Sequence, residues 1–248
     1  MPRLSSRAKR RALAKRLKAS TKAERRYEAA LGGLLRAVEK ETLAFLGTKG
    51  VLRGDAVKPL RSALELHFVR MIAAVPRTVA PLFDAMGSEV SGDNAKALGV
   101  IGINANAMGI SATIAKARDE NIRLVEKAVR LYAEDVRDIF DDPEANTWRV
   151  EELQARLLER GNVSVSRAEL IARDQTLKTN AAITQTRQVQ AGVESYEWST
   201  SLDERVRDEH RALEGQRFAW NNPPAVGHPG EDFQCRCVAI PVISEVYD

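Results

Sequence analysis

Glu120-Asn121-Ile122-Arg123-Leu124-Val125-Glu126-Lys127-Ala128-Val129-Arg130-Leu131-Tyr132-Ala133-Glu134-Asp135-Val136-Arg137-Asp138-Ile139 is the stretch that decides the fold class. Its apolar residues Ile122, Val125, Val129, Tyr132, Val136 and Ile139 recur three and four apart, which places them on one face of an α-helix. Asp142-Pro143 ends the pattern, because proline has no backbone N–H and its ring obstructs the preceding turn.

Upstream the same period recurs twice. Tyr27, Leu31, Leu34, Leu35, Val38 and Phe45 predict a helix that starts near Ser6 and stops at Gly47, about 60 Å long at 1.5 Å per residue. Val57, Leu60, Leu64, Phe68, Met71 and Ile72 form the next stripe, which ends or kinks at Pro76. His67 falls inside it and reads as a structural histidine. Between this stripe and the central one, Gly99-Val100-Ile101-Gly102-Ile103-Asn104-Ala105-Asn106 is small and aperiodic, a loop or extended segment without the spacing of a dinucleotide-binding turn.

Downstream, Val150, Leu153 and Leu157 suggest a short helix stopped by Gly161-Asn162. Ser166-Arg167-Ala168-Glu169 has the hydroxyl and carboxylate of a capping box, opening a further helix to about Ala191 with Gly192 as its stop. That helix carries Arg173, Asp174, Gln175, Thr176, Asn180, Thr184, Gln185 and Gln188. So polar a surface needs a bridging role, between parts of the chain or between subunits.

Beyond Gly192 the texture changes. Tyr196–Thr200 alternates like a strand, Asp203 can cap a short helix to Leu213 stopped by Gly215, Gln216–Trp220 reads as a second strand, and Cys237–Val242 as a last one. The fold class expected is therefore mainly α, with elongated amphipathic helices packed as hairpins or a bundle. A small α+β module of short antiparallel strands follows near the C-terminus. An aromatic content of only 5% against 29% charged residues agrees with helix over sandwich or barrel.

The net charge of +4 is unevenly spread. Residues 1–26 contain Arg3, Arg7, Lys9, Arg10, Arg11, Lys15, Arg16, Lys18, Lys22, Arg25 and Arg26 against the single acid Glu24, leaving the remainder net acidic. Such an arm is attracted to nucleic acid, an anionic membrane or an acidic protein surface, with Arg7, Arg10, Arg11, Lys15 and Arg16 as the contact candidates for nucleic acid or portal. It reads equally as a solvated helix start. No stretch is long and apolar enough to span a membrane, and the N-terminus lacks the apolar core of a secretory signal.

Two of the three histidines and both cysteines, His210, His228, Cys235 and Cys237, lie within one short segment. Imidazole and thiolate are the donor set of a tetrahedral zinc site, and a small module gains from a structural zinc ion. The spacing is not that of a zinc finger. A disulfide between residues one apart would be strained and constrain little, so the cysteines read as thiols or ligands. The plainer alternative places both cysteines on one face of the last strand as small buried hydrophobes, with Arg236 opposite. A third reading pairs a cysteine with His210 as nucleophile and base, oriented by Asp203, or gives a metal-dependent hydrolase; no nucleophile elbow or zincin helix supports it. Arg205, Arg207 and Arg236 read as partners in forks with Asp203 or Asp232.

Asp203-Glu204-Arg205-Val206-Arg207-Asp208-Glu209-His210-Arg211-Ala212-Leu213-Glu214-Gly215, Pro223-Pro224, Gly227-His228-Pro229-Gly230 and Cys235-Arg236-Cys237 together resemble the phage Mu F-like minor head protein family, the SPP1-type head morphogenesis proteins. Ala172-Arg173-Asp174-Gln175-Thr176 with Asn180, and the entry from Gly192 to Trp198, are similar too, so the resemblance covers roughly residues 120–242. It divides the chain into a basic arm (1–26), a helical portal- or capsid-interaction region (27–119) and a head morphogenesis domain (120–248) with a mixed core at 193–242. The family positions map to Arg173, Asp203, Arg205, His210, Gly215, His228, Pro229, Cys235, Arg236 and Cys237. The resemblance implies a minor capsid protein at the portal vertex inside the head, made in the host cytoplasm, helping procapsid assembly and DNA packaging or ejection. It implies no enzymatic activity and no membrane. The portal protein is the partner it implies, with major capsid or scaffolding protein and packaged DNA as further ones. With the chain ending at Asp248, no appended toxin domain is expected. Two alternatives stay open: a DNA-binding protein ejected with the genome, and a metal-dependent hydrolase.

Overall fold

The computed structural model describes residues 6–48, 57–145, 148 and 150–243. Arg3 of the basic arm, the side chains of Val57, Leu60 and Val150, and the last residues to Asp248 lie outside the described residues. The chain is mainly α, as expected. Helices α1 (Ser6–Leu17), α2 (Thr21–Thr48), α3 (Val57–Gly99), α4 (Ser111–Asp141) and α5 (Val150–Gln190) precede strand β1 (Ser195–Ser199), the single-turn helix α6 (Asp208–Arg211), β2 (Arg217–Ala219) and β3 (Val238–Pro241). A 3-10 turn at Ala105–Ala107 lies between α3 and α4. The sheet order is β2-β1-β3, antiparallel throughout, with Tyr196 opposite both Phe218 and Pro241. Among the described residues no helix is long and apolar enough to cross a membrane.

Three helix boundaries differ from the sequence reading. The helix expected from Ser6 to Gly47 is interrupted at residues 18–20. Ser20 accepts a hydrogen bond from the Ala23 N–H at 3.3 Å and so caps α2, while Asn180 donates to the Leu17 carbonyl at 2.8 Å and so satisfies the end of α1. The second stripe does not end at Pro76: α3 continues through Pro76 and Pro81. The apolar face Val75, Val79, Phe83, Met86 and Val90 stays buried across both prolines. Each such side chain contributes about 1.5–3 kcal/mol, which offsets roughly 3 kcal/mol per interior proline. The stop expected at Gly161-Asn162 and the capping box at Ser166–Glu169 are both interior to α5. Gly161 lies within the helix with the Glu39 carboxyl group of α2 resting against it, and it does not end the chain's helical run. The end of α5 is as expected: Gly192 adopts φ +77° and Val193 donates back to the Gln188 carbonyl at 2.9 Å.

The chain forms two compact units that are not consecutive in sequence. One comprises Arg26–Phe83 and Asp119–Ala172. Its core uses the stripes read from the sequence: Tyr27, Leu31, Leu35, Val38, Leu64, Phe68, Val125, Val129, Tyr132 and Val136 are all buried. Tyr27 meets Phe83 edge-to-face at 5.9 Å and Phe68 meets Tyr132 likewise at 6.0 Å, while the Tyr27 hydroxyl donates to Asn121. His67 stacks on Phe45 at 4.6 Å and contacts Thr42; burial lowers its pKa, so it serves this core as a neutral ring.

The other unit takes the chain up to Arg25, Asp84–Arg118 and everything from Arg173. Leu13, Ala14 and Leu17 of α1 pack with Ala97, Leu98, Ala105, Val238 and Ile240. The polar surface of α5 lies inside this unit: Asp174, Gln175, Thr176, Asn180, Thr184, Arg187 and Gln188 are buried. Asn94 donates to the Thr184 hydroxyl at 2.7 Å, Arg187 donates to the Ser91 carbonyl at 2.7 Å and to Asn94 at 3.0 Å, and Gln188 donates to the Ala239 carbonyl at 2.9 Å. These are bonds within one chain, so the bridging role is internal.

Helix continuity over residues 150–190 is open to direct test. Asn162→Pro, at an exposed position, should cost about 3 kcal/mol or more in chemical denaturation because it falls inside a helix. A cost within experimental error would restore the loop expected from sequence.

Candidate functional site

The antiparallel sheet gives the site its floor. Tyr196 and Trp198 on β1 are fully buried and cluster with Cys235, Cys237 and Ala239. Gly215, at φ +75°, donates to the Trp198 carbonyl at 2.8 Å and ties α6 back to β1. Two non-glycine residues, Leu202 and Gln234, hold positive φ on either side of the site. Asp174 accepts from the Gln234 N–H at 2.8 Å, an anchor from α5 that helps hold this strained turn.

Asp203 does not cap a helix reaching Leu213; α6 is the single turn Asp208–Arg211. Instead the Asp203 carboxylate accepts the Arg205 N–H at 3.1 Å and the Arg236 guanidinium through two bonds of 2.6 and 2.7 Å. Two parallel donors satisfy the whole carboxylate more strongly than the short chain segment to α6 could. The Arg236 bonds hold the Asp203 pKa below the usual carboxylate range and raise that of Arg236. Arg207 pairs with Asp232 at 2.9 Å and donates to the Phe233 carbonyl at 2.8 Å. Arg205 contributes its backbone to this arrangement while its side chain is exposed, so of the three arginines read as fork partners, Arg236 and Arg207 fill that role. Arg173 pairs with Glu24 at 3.2 Å on the exposed side of α5.

The four candidate ligands separate. Cys235 and Cys237 do not sit within the last strand but in the loop before it, because β3 begins at Val238. Both thiols turn to the same atom, His210 Nδ1, at 3.5 and 3.7 Å, and Arg236 between them turns away to Asp203. His210 is buried, with Trp198 edge-on at 5.4 Å and its Nε2 3.5 Å from an Asp232 carboxylate oxygen. Donor atoms of His210, Cys235 and Cys237 all lie within 4.8 Å of one another. The hydrogen bond between the thiols draws the first proton off the pair well below the ordinary thiol range, to about 6 at Cys235, and holds the second on Cys237.

His228 is elsewhere. Its Nδ1 lies 2.9 Å from the Tyr196 hydroxyl, its ring packs against Trp220, and its backbone N–H donates to Glu231 at 2.7 Å. Pro229 lines a cavity of about 220 Å³ with Lys178, Gln185, Trp220 and His228. Gly230 follows at φ +90°, where a Cβ would stand 2.5 Å from that of Ala181 on α5. The proline-rich loop is thus seated directly on α5.

A nucleophile–base pair would need Asp203 to orient His210; that carboxylate is committed to Arg236, and the acid nearest His210 is Asp232. Both thiols are buried, although they line a cavity of about 180 Å³ together with Lys18, Thr21, Asn180, Ser201 and Asp203. Sequence spacing did not distinguish His228 from His210, and it gave no signal for Trp198 or for the Asp174–Gln234 anchor.

Residues 146–240 match the family described as Phage Mu protein F like protein, within the range over which the sequence resembles it. A Haemophilus influenzae protein described as uncharacterized is 40% identical over 139 residues, which is 56% of this chain and 31% of that protein. The chain therefore spans less than a third of the relative it matches. No solved structure matches it.

Two outcomes follow from the site geometry. Gly230→Ala should lower stability by about 2–4 kcal/mol, read by urea denaturation, because it adds both a clash and left-handed strain. Asp203, whose folded pKa lies below its unfolded one, stabilises above the usual carboxylate range and loses that contribution as pH falls through the depressed value. Asp203→Asn should therefore lower the thermal midpoint at neutral pH and shrink its difference from the parent protein in acid; a difference constant down to strongly acid pH would contradict this.

Proposed function

From a chain that is phage Mu F-like over residues 146–240, a family of phage structural proteins, we propose a minor head protein that sits at the portal vertex inside the capsid and takes part in procapsid assembly. The observation that carries this reading is how the family-motif residues are used. Asp203 and Arg236 bond to each other, His210 and the two cysteines face one another in the interior, and His228 holds Tyr196. They tie the C-terminal strands and loops to one another, as a scaffold requires. The portal protein is the first partner proposed, with scaffolding or major capsid protein as further ones.

A second role rests on α1. Arg7, Arg11, Lys15 and Arg16 are exposed, and Arg7, Arg11 and Lys15 recur every four residues along one side of the helix. The opposite side, Leu13, Ala14 and Leu17, is buried. Arg10 is drawn toward Glu197 at 3.4 Å. The exposed cations would face packaged DNA or an acidic portal surface.

Purified heads, separated from tails, should contain this chain in few copies relative to the major capsid protein, and portal protein should capture it from solution. Recovery in tails alone would rule the proposal out. For the second role, changing Arg7, Arg11 and Lys15 together to Gln should weaken DNA retention in a gel and reduce the salt slope by about one for each phosphate no longer neutralised. An unchanged slope would remove α1 from DNA binding.

A further inference from the structure

The geometry points to a zinc site made by His210 Nδ1, Cys235 Sγ and Cys237 Sγ, with a solvent molecule as the fourth ligand. Three donors of borderline-soft character meet within 4.8 Å of one another, from two chain segments far apart in sequence. Two thiolates and an imidazole suit Zn²⁺ better than the oxygen-seeking Mg²⁺ or Ca²⁺. The supporting shell is in place. Asp232 lies 3.5 Å from His210 Nε2, on the side of the ring away from the thiols. A carboxylate there favours the proton on Nε2 and leaves the Nδ1 lone pair directed between the two sulfurs, the usual support for a metal-bound histidine. Without a partner, Nε2 is a buried polar atom lacking a hydrogen bond; a slight turn of the ring toward Asp232 on metal binding would supply one.

This site differs from the four-residue set that the sequence suggests. His228 is not a ligand, because its Nδ1 is engaged by Tyr196 and it is absent from the donor cluster. Cys235 and Cys237 also line the cavity of about 180 Å³ beside Lys18 and Asn180, from which a solvent ligand would come. Zn²⁺ is held by both sulfurs as thiolates: any thiol proton still on the pair passes to solvent on binding, and the two thiolates neutralise the Zn²⁺ charge. The ion would join the loop before β3 to α6, neither of which belongs to the sheet ladder.

The test uses the full chain purified under reducing conditions without chelator. Elemental analysis should give about one zinc per chain, and Co²⁺ replacing it should show thiolate-to-metal charge transfer with tetrahedral ligand-field bands. Cys235→Ser and Cys237→Ser should each abolish the charge-transfer intensity of one sulfur, His228→Gln should retain the metal, and Asp232→Asn should weaken affinity about 10–100-fold. Should a cysteine variant fail to fold, alkylation of the parent protein decides. Both thiols should be protected with metal bound and react after chelation. A parent protein that takes up neither ion, a Cys235–Cys237 disulfide in freshly reduced protein, or metal retained in the double cysteine variant would each overturn the site.

Discussion

The buried polar run of α5 from Asp174 to Gln188 is the constraint on which one whole unit depends. A helix surface of Asp, Gln, Thr, Asn and Arg has no hydrophobic reason to enter a core, and each unpaired polar group left there would cost about 1–3 kcal/mol. It enters because several of its groups find partners that another element also needs, although Thr179 Oγ1, Arg187 Nε and Gln188 Oε1 have no hydrogen bond of their own among the described residues. Asn180 satisfies the last turn of α1, Arg187 satisfies the Ser91 carbonyl in α3, Asp174 holds the turn at Gln234, and Gln188 takes a carbonyl of β3. Four elements are thereby indexed to one helix. Arg187 shows how strictly this operates. Its guanidinium is buried, burial depresses its pKa, and its hydrogen bonds go to neutral oxygens of Ser91 and Asn94. Removing either side of that pairing should cost more than the pairing contributes, because the other side would stay buried and unpaired.

Around the C-terminal strands the balance of forces differs. Tyr196 and Trp198 supply the apolar floor, and truncating a buried aromatic of that size costs about 3–5 kcal/mol. The exposed pair of Arg173 with Glu24 contributes about 0–1 kcal/mol. The charged motif residues therefore direct loops more than they stabilise them: Asp203 with Arg236 orients the Cys-Arg-Cys turn, and Arg207 with Asp232 orients the loop around Phe233. The seating of Gly230 on Ala181 then sets the distance between that loop and α5, since no side chain fits between them.

The sequence made the fold class legible because amphipathic period is a property of the chain itself. Tyr27, Leu31, Leu35 and Val38 of the first stripe, and Val125, Val129, Tyr132, Val136 and Ile139 of the central one, are buried where the pattern places them. It misled where a tertiary partner outweighed a local signal. Gly161 and Ser166 carry helix-ending and helix-opening chemistry, but Glu39 packs against the bare backbone of the first and the helix continues. The break after Leu17 had only Ser20 to announce it, and its second support, Asn180, is far along the chain. At the site, residue types identified the right neighbourhood. Nothing in the spacing of His210 and His228 tells which imidazole turns to the thiols, because that depends on the hydroxyl of Tyr196 reaching the other one first.

Docking of α1 also changes what its charge can do. A row of cations on a disordered tail must lose backbone freedom, about 1–2 kcal/mol per residue, when it lies down on a polyanion. Here that ordering is already complete, since Leu13 and Leu17 are sunk in the core and the final carbonyl is held. Any counter-charge would meet the helix as a rigid comb with teeth at fixed pitch, and little ordering entropy would oppose the association.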